Sequence, residues 1–192
     1  MTKSKTVTTY EANDYQPSER FDTFFNELFS ESDRGCILIG ASVLDEVLGE
    51  YIAYMISLRN LNTKTTAHEK QITYNPKLSF GDKIKFANRI KILKKDVFED
   101  LDKIRIIRNK AAHDYKPRNF KDKEIIDIVH TFNRIEQDPV QKSKEWEIMI
   151  DEITSIAPNG VTKGTRRTYE AFIFSTTVVY IVGMLDFRSY NF

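Results

Sequence analysis

Three side chains that could work on a phosphate fall within six residues of one another: Arg108, Asn109 and His113, in the stretch LDKIRIIRNKAAHDY from Leu101 to Tyr115. A planar guanidinium can clamp two non-bridging oxygens and stabilise charge that develops on them. An imidazole titrates near neutrality and can give or take a proton. A carboxamide can orient either the ring or the phosphate by hydrogen bonding. Arg105, Lys110 and Tyr115 lie close enough in sequence to contact the same substrate.

The element that must position these groups is a helix ending shortly before Pro117. Leu101, Ile104, Ile107 and Ala111 recur at spacings of three and four, which predicts one buried stripe. Arg105 and Arg108 are then neighbours on one flank, and Asn109 and His113 stand one turn apart. Arg108 and His113 differ by roughly 140° around an ideal helix. They share no face, so they meet only through the length of Arg108, a loosened last turn or a second copy of the motif. His113 falls near the helix C-terminus, where the partial negative charge favours cations.

Arg108-Asn109-Lys110-Ala111-Ala112-His113 resembles the signature of HEPN domains, an all-helical family. With Asp114-Tyr115 the match extends to the Arg-x4-His-x-Tyr form of HEPN toxins. The order of three segments, RGCILIGASVLDEVLGEYIAYMI from Arg34, LSFGDKIKFANRIKIL from Leu78 and then the motif helix, resembles the mannitol-operon repressor (MltR-like) family, whose fold is HEPN-like. The resemblance covers roughly residues 20–115 and implies an all-α, HEPN-like bundle with long core helices and a buried C-terminal helix. For activity it implies a metal-independent endoribonuclease in a toxin–antitoxin or phage-defence setting. Arg108, Asn109 and His113 would be catalytic, two copies would face one cleft, and Tyr115 would be open to modification by an antitoxin partner. The alternative reading is a noncatalytic MltR-like regulator or protein-interaction module. Arg108 and Asn109 would then satisfy a helix end, with His113 as its cap.

Composition is compatible with either. The chain has 192 residues, 41% of them hydrophobic, enough for a sizeable core, while seven Gly and five Pro argue against a turn-rich β design. The formal charge of +1 hides an asymmetry. Residues 1–60 carry five Lys/Arg against ten Asp/Glu, whereas residues 83–123 carry fourteen against six, so the motif lies in the basic part. Cys36 is the only cysteine, which leaves no intrachain disulfide and no Cys-rich metal site; it reads as a core residue. The polar N-terminus lacks a secretory segment, so the expected location is cytoplasmic. The expected partners are RNA, a second copy of the chain and an antitoxin or regulatory protein, with no membrane, cofactor or metal. No helix-turn-helix, phosphate loop, zinc pattern or nucleophile elbow is recognisable.

In chain order, residues 1–16 read as a flexible arm and 17–192 as one helical domain. Pro17-Ser18-Glu19 opens a helix with Phe21, Phe24, Phe25, Leu28 and Phe29 on its apolar stripe. A long helix follows from about Arg34 to Leu58, in which Gly40 and Ala41 allow close approach of a neighbour. Asn60–Lys77, with His68, reads as a long loop. Ser79 and Asp82 form a capping box for a helix running to about Leu93, with Lys83, Arg89, Lys91 and Lys94 outside. Asp96 is placed to cap the motif helix. Lys123–Ile135 reads as an amphipathic helix, with His130 at its surface or satisfied in the core. Gln137–Lys144 reads as a connection, Trp146–Ile153 as a short helix and Ala157–Gly164 as a breaker. The last helix, about Thr165–Phe187, is apolar on most sides yet too short in its densest run to suit a membrane span, so it belongs in the core or at an interface.

Overall fold

A computed structural model describes residues 17–62, 73–115, 118–133 and 168–186. Every regular element among them is helical: α1 (Pro17–Ser30), α2 (Asp33–Asn62), α3 (Phe80–Arg89), α4 (Lys95–His113), α5 (Lys123–Val129) and α6 (Tyr169–Leu185). The arm at 1–16, His68, the connection at 137–144, the helix at 146–153 and the breaker at 157–164 lie outside the described residues.

α2 is the central element. Its thirty residues span about 45 Å at the α-helical rise, and it packs against α1, α3, α4 and α6. Ile37, Ala41, Leu44, Leu48, Ile52 and Ile56 recur every three or four residues, and all are buried, as is Cys36 beside them. At Gly40 the helix meets α6, where an added Cβ would stand 3.2 Å from both Phe174 and Val178. The small residue thus permits the close approach that the sequence suggests. Cys36 is fully buried, its Sγ 3.4 Å from the Ser175 hydroxyl of α6. The helix runs four residues past Leu58, because no breaker intervenes and Arg59 suits the negative end of the helix.

α6 is buried along most of its length, as an all-round apolar helix should be. Thr168 caps it by accepting from the Ala171 N–H at 3.2 Å. Phe25 and Phe29 of α1 stack on each other and meet Phe172 of α6 edge-on. No helix among the described residues is long and apolar enough to cross a membrane.

Three further boundaries differ from the sequence expectation. α3 stops at Arg89 rather than Leu93, because Lys91 turns left-handed at φ 56° and its N–H bonds back to the Asn88 carbonyl. α4 begins after Lys94, which occupies the N-cap without a side-chain bond, so Asp96 falls in the first turn rather than at the cap. α5 ends at Val129 rather than Ile135. There the Thr131 hydroxyl donates to the Ile128 carbonyl, and the Asn133 N–H leaves the helical path to reach Asp100. By contrast the cap of α3 forms as expected. The Ser79 hydroxyl accepts from the Asp82 N–H at 3.2 Å and donates to the Asp82 carboxylate at 2.7 Å.

Candidate functional site

The motif occupies the last turns of α4. Leu101, Ile104, Ile107 and Ala111 are all fully buried against the core, which fixes the rotation of the helix. Arg108 is thereby turned to solvent, Asn109 lies at the border, and His113 is the exposed last helical residue. The helix keeps its regular ladder to the end, the Asp114 N–H donating to the Lys110 carbonyl at 3.3 Å. Tyr115, beyond the cap, is completely exposed.

Of the candidate residues, only Arg108 and Asn109 touch. The Arg108 guanidinium donates to the Asn109 side-chain carbonyl at 3.2 Å. His113 has no bonding partner among the described residues, and the regular last turn leaves it apart from Arg108. Arg105 is directed elsewhere: its Nε donates to Asp102 at 2.7 Å, and its stem passes under Gly81, where an added Cβ would sit 3.0 Å from Arg105 Cδ. Lys110 is engaged across the α4–α5 corner, bonding the Glu124 carboxylate at 2.7 Å. Arg118 bonds Asp114 and lies 3.8 Å from Glu124, closing a four-charge chain. The Lys110 hydrogen bond holds the Glu124 carboxyl below its ordinary value. The bond to Asp114 raises Arg118, so its charge is secure. Much of the positive charge at this end of α4 is therefore already neutralised.

Three polar clusters escape a reading of sequence alone. Lys83, expected outside, is nearly buried and bonds both the carbonyl (2.9 Å) and the carboxylate (2.5 Å) of Asp45. Its spacing from Ile84 and Ala87, both buried, carries the signal of an inward position; its partner, thirty-eight residues away, carries none. Tyr74 packs beside it, with a buried hydroxyl that has no hydrogen-bond partner among the described residues. Gly49 leaves room for both groups, since an added Cβ would meet Tyr74 Oη at 3.2 Å and Lys83 Nζ at 3.3 Å.

The second cluster centres on Asp100, only 3% exposed. It accepts from the Asn133 N–H and side-chain amide and from Lys103, tying the chain beyond α5 to α4. In the third, His130 Nε2 lies 3.0 Å from the buried Glu170 carboxylate and joins α5 to the first turn of α6, so this histidine is satisfied internally. No group of three or more His, Cys, Asp or Glu among the described residues is placed to hold a metal ion.

No protein-family model and no curated protein matches the chain. Among solved structures it is similar to a chain of the X-ray structure of the MtlR-HPr complex from Escherichia coli. The TM-score is 0.50 at 12% identity, over 85% of this chain and 98% of that one. At this identity the likeness concerns the fold, and it agrees with the MltR-like order of helices.

Proposed function

We propose that the chain is a noncatalytic regulatory module of MltR-like architecture that acts by binding another protein. The observation that carries this reading is the fold shared along nearly the whole of a chain that was solved in complex with HPr. The motif end of α4 supports it, because Lys110 and Arg118 are held in intrachain ion pairs and Arg108 rests on Asn109 rather than on His113. Both features suit a helix end stabilised for structure.

One observation favours a second reading, a metal-independent endoribonuclease in a toxin–antitoxin or defence setting. Arg108, His113 and Tyr115 are all exposed at one helix end, where a second copy of the chain could supply the missing half of a cleft. Arg108 would then clamp the phosphate, Asn109 would orient it and His113 would move the proton. RNA cleavage by the purified protein in excess chelator, beside Arg108→Ala and His113→Ala, separates the two. The regulatory reading expects no cleavage in any of the three and heat on titration with HPr as the first protein partner. Chelator-resistant cleavage that leaves cyclic phosphate ends and is lost in both variants overturns it.

A further inference from the structure

From Lys83 to Lys95 the chain carries six Lys/Arg and no Asp or Glu. The fold sorts these cations sharply. Lys83 is spent inside on Asp45, and Lys95 lies 3.8 Å from Glu99. Lys85, Arg89, Lys91 and Lys94 are all exposed around the α3–α4 turn, and none forms an ion pair among the described residues. Lys85 and Arg89 are four apart on α3 and so share a face. Of the flanking acids, Asp82 is bonded to Ser79 and Asp96 is exposed. The opposite end of α4, about 28 Å away at the helical rise, has the reverse character, with Lys110 and Arg118 paired to acids.

The turn is also rigidly placed. The Ile92 N–H bonds the Ala87 carbonyl at 3.2 Å, and the Ile92 carbonyl accepts from the Tyr51 hydroxyl of α2 at 3.2 Å. Ile90, Ile92 and Leu93 are half-buried against the core, which leaves the lysines outward. Arg89 lies over the Phe86 ring at 5.2 Å, which holds its guanidinium in place. Lys91 adopts φ 56° there, a conformation that costs a residue with a side chain.

We infer that the α3–α4 turn is a docking surface for the phosphodiester backbone of a nucleic acid, with Lys85, Arg89, Lys91 and Lys94 as its contacts. The chemistry of the patch selects this partner over an acidic protein. Protein interfaces are built on a buried aromatic or aliphatic centre and are depleted of Lys, whereas this patch is lysine-rich and its apolar residues face inward. Unpaired cations on a fixed turn suit a repeating anion read by charge and not by sequence.

Fluorescence anisotropy of the full chain with a labelled single-stranded RNA, repeated with DNA of the same sequence, tests this. Four phosphate contacts predict a log–log salt slope near −3, or about a 50-fold loss of affinity between about 50 and about 200 mM salt. Lys85→Glu with Lys94→Glu should weaken binding at least tenfold and reduce the slope by about half. The Glu at 94 suits the start of α4 electrostatically, so circular dichroism should show an unchanged fold. Lys121→Glu with Lys123→Glu, an equal charge change at exposed positions beside α5, should have a much smaller effect. Equal losses in the two double variants, no salt-dependent binding, or displacement of the RNA by polyglutamate as readily as by unlabelled RNA would each overturn the assignment.

Discussion

Replacing Tyr74 by Phe should make the protein more stable. The Tyr74 hydroxyl is buried and makes no hydrogen bond among the described residues, so folding removes it from water without compensation. Such a group costs about 1–3 kcal/mol, and removing the oxygen recovers that cost. Against this stand the few dispersion contacts of one atom, each about 0.1–0.2 kcal/mol, and the attraction of the neighbouring Lys83. The ring keeps its packing on Phe86, whose centroid is 5.8 Å away. A net gain of about 1 kcal/mol follows, which for a chain of this size is a rise of about 2–4 °C in Tm.

Alkaline pH offers an independent readout. Burial pushes the Tyr74 phenol above its ordinary 10.0; Lys83 opposes the shift and Asp45 adds to it. The folded state thus holds this proton longer than the unfolded chain does. Its contribution is intact below pH 10.0 and is lost as pH rises from there through the folded value. Urea melts of wild type and Tyr74→Phe should therefore diverge further above that pH, with the variant spared this share of the decline. A variant that is less stable by about 1 kcal/mol at neutral pH would show that the hydroxyl has a bonding partner, such as a bound water bridging to Lys83, and the reasoning would fail.

Other perturbations probe the remaining joints of the fold. Asp100→Ala strands the Asn133 N–H and takes a carboxylate from Lys103, which keeps its bond to the Thr131 carbonyl, and should cost about 2 kcal/mol in a urea melt. Gly40→Ala gains about 1 kcal/mol of helix propensity but forces a methyl against Phe174 and Val178, so a net loss of about 1 kcal/mol is expected by the same assay. Because Lys110 depresses the Glu124 carboxyl, its contribution is present above the ordinary 4.5 and is lost as pH falls through the lowered value. Thermal melts of Glu124→Gln should accordingly lack that part of the acid decline.

The helical faces were legible in the sequence because burial and periodicity carry the same information. The stripe on α4 and the packing of Gly40 follow from spacing alone. What spacing could not supply was any contact between distant residues. Lys83 looks like a surface lysine until Asp45 is brought beside it, and α5 looks two turns longer until Asp100 captures Asn133. The early end of α3 has no Gly or Pro to mark it, and Asn88 falls inside the helix, because a lysine takes the left-handed position. At the motif, exposure at a helix end and the angular separation of Arg108 from His113 were both readable. How the surrounding basic stretch divides was not, since it depends on which cations find acids across the α4–α5 corner.

The partnership of α2 with α6 also constrains how the protein is made. Residue 62 ends α2 and residue 169 begins α6, so 106 residues separate the two helices along the chain. At translation rates of about 5–20 residues per second, the longest helix waits roughly 5–20 s after synthesis for the element that covers one of its faces. During that interval Cys36 and Gly40 lack the Ser175, Phe174 and Val178 side chains that α6 lays against them. A message truncated before codon 169 would yield a chain in which α1, α3 and α4 still pack on α2 but the face at Gly40 stays bare, and such a product should be a substrate for chaperones and proteases rather than a smaller working protein.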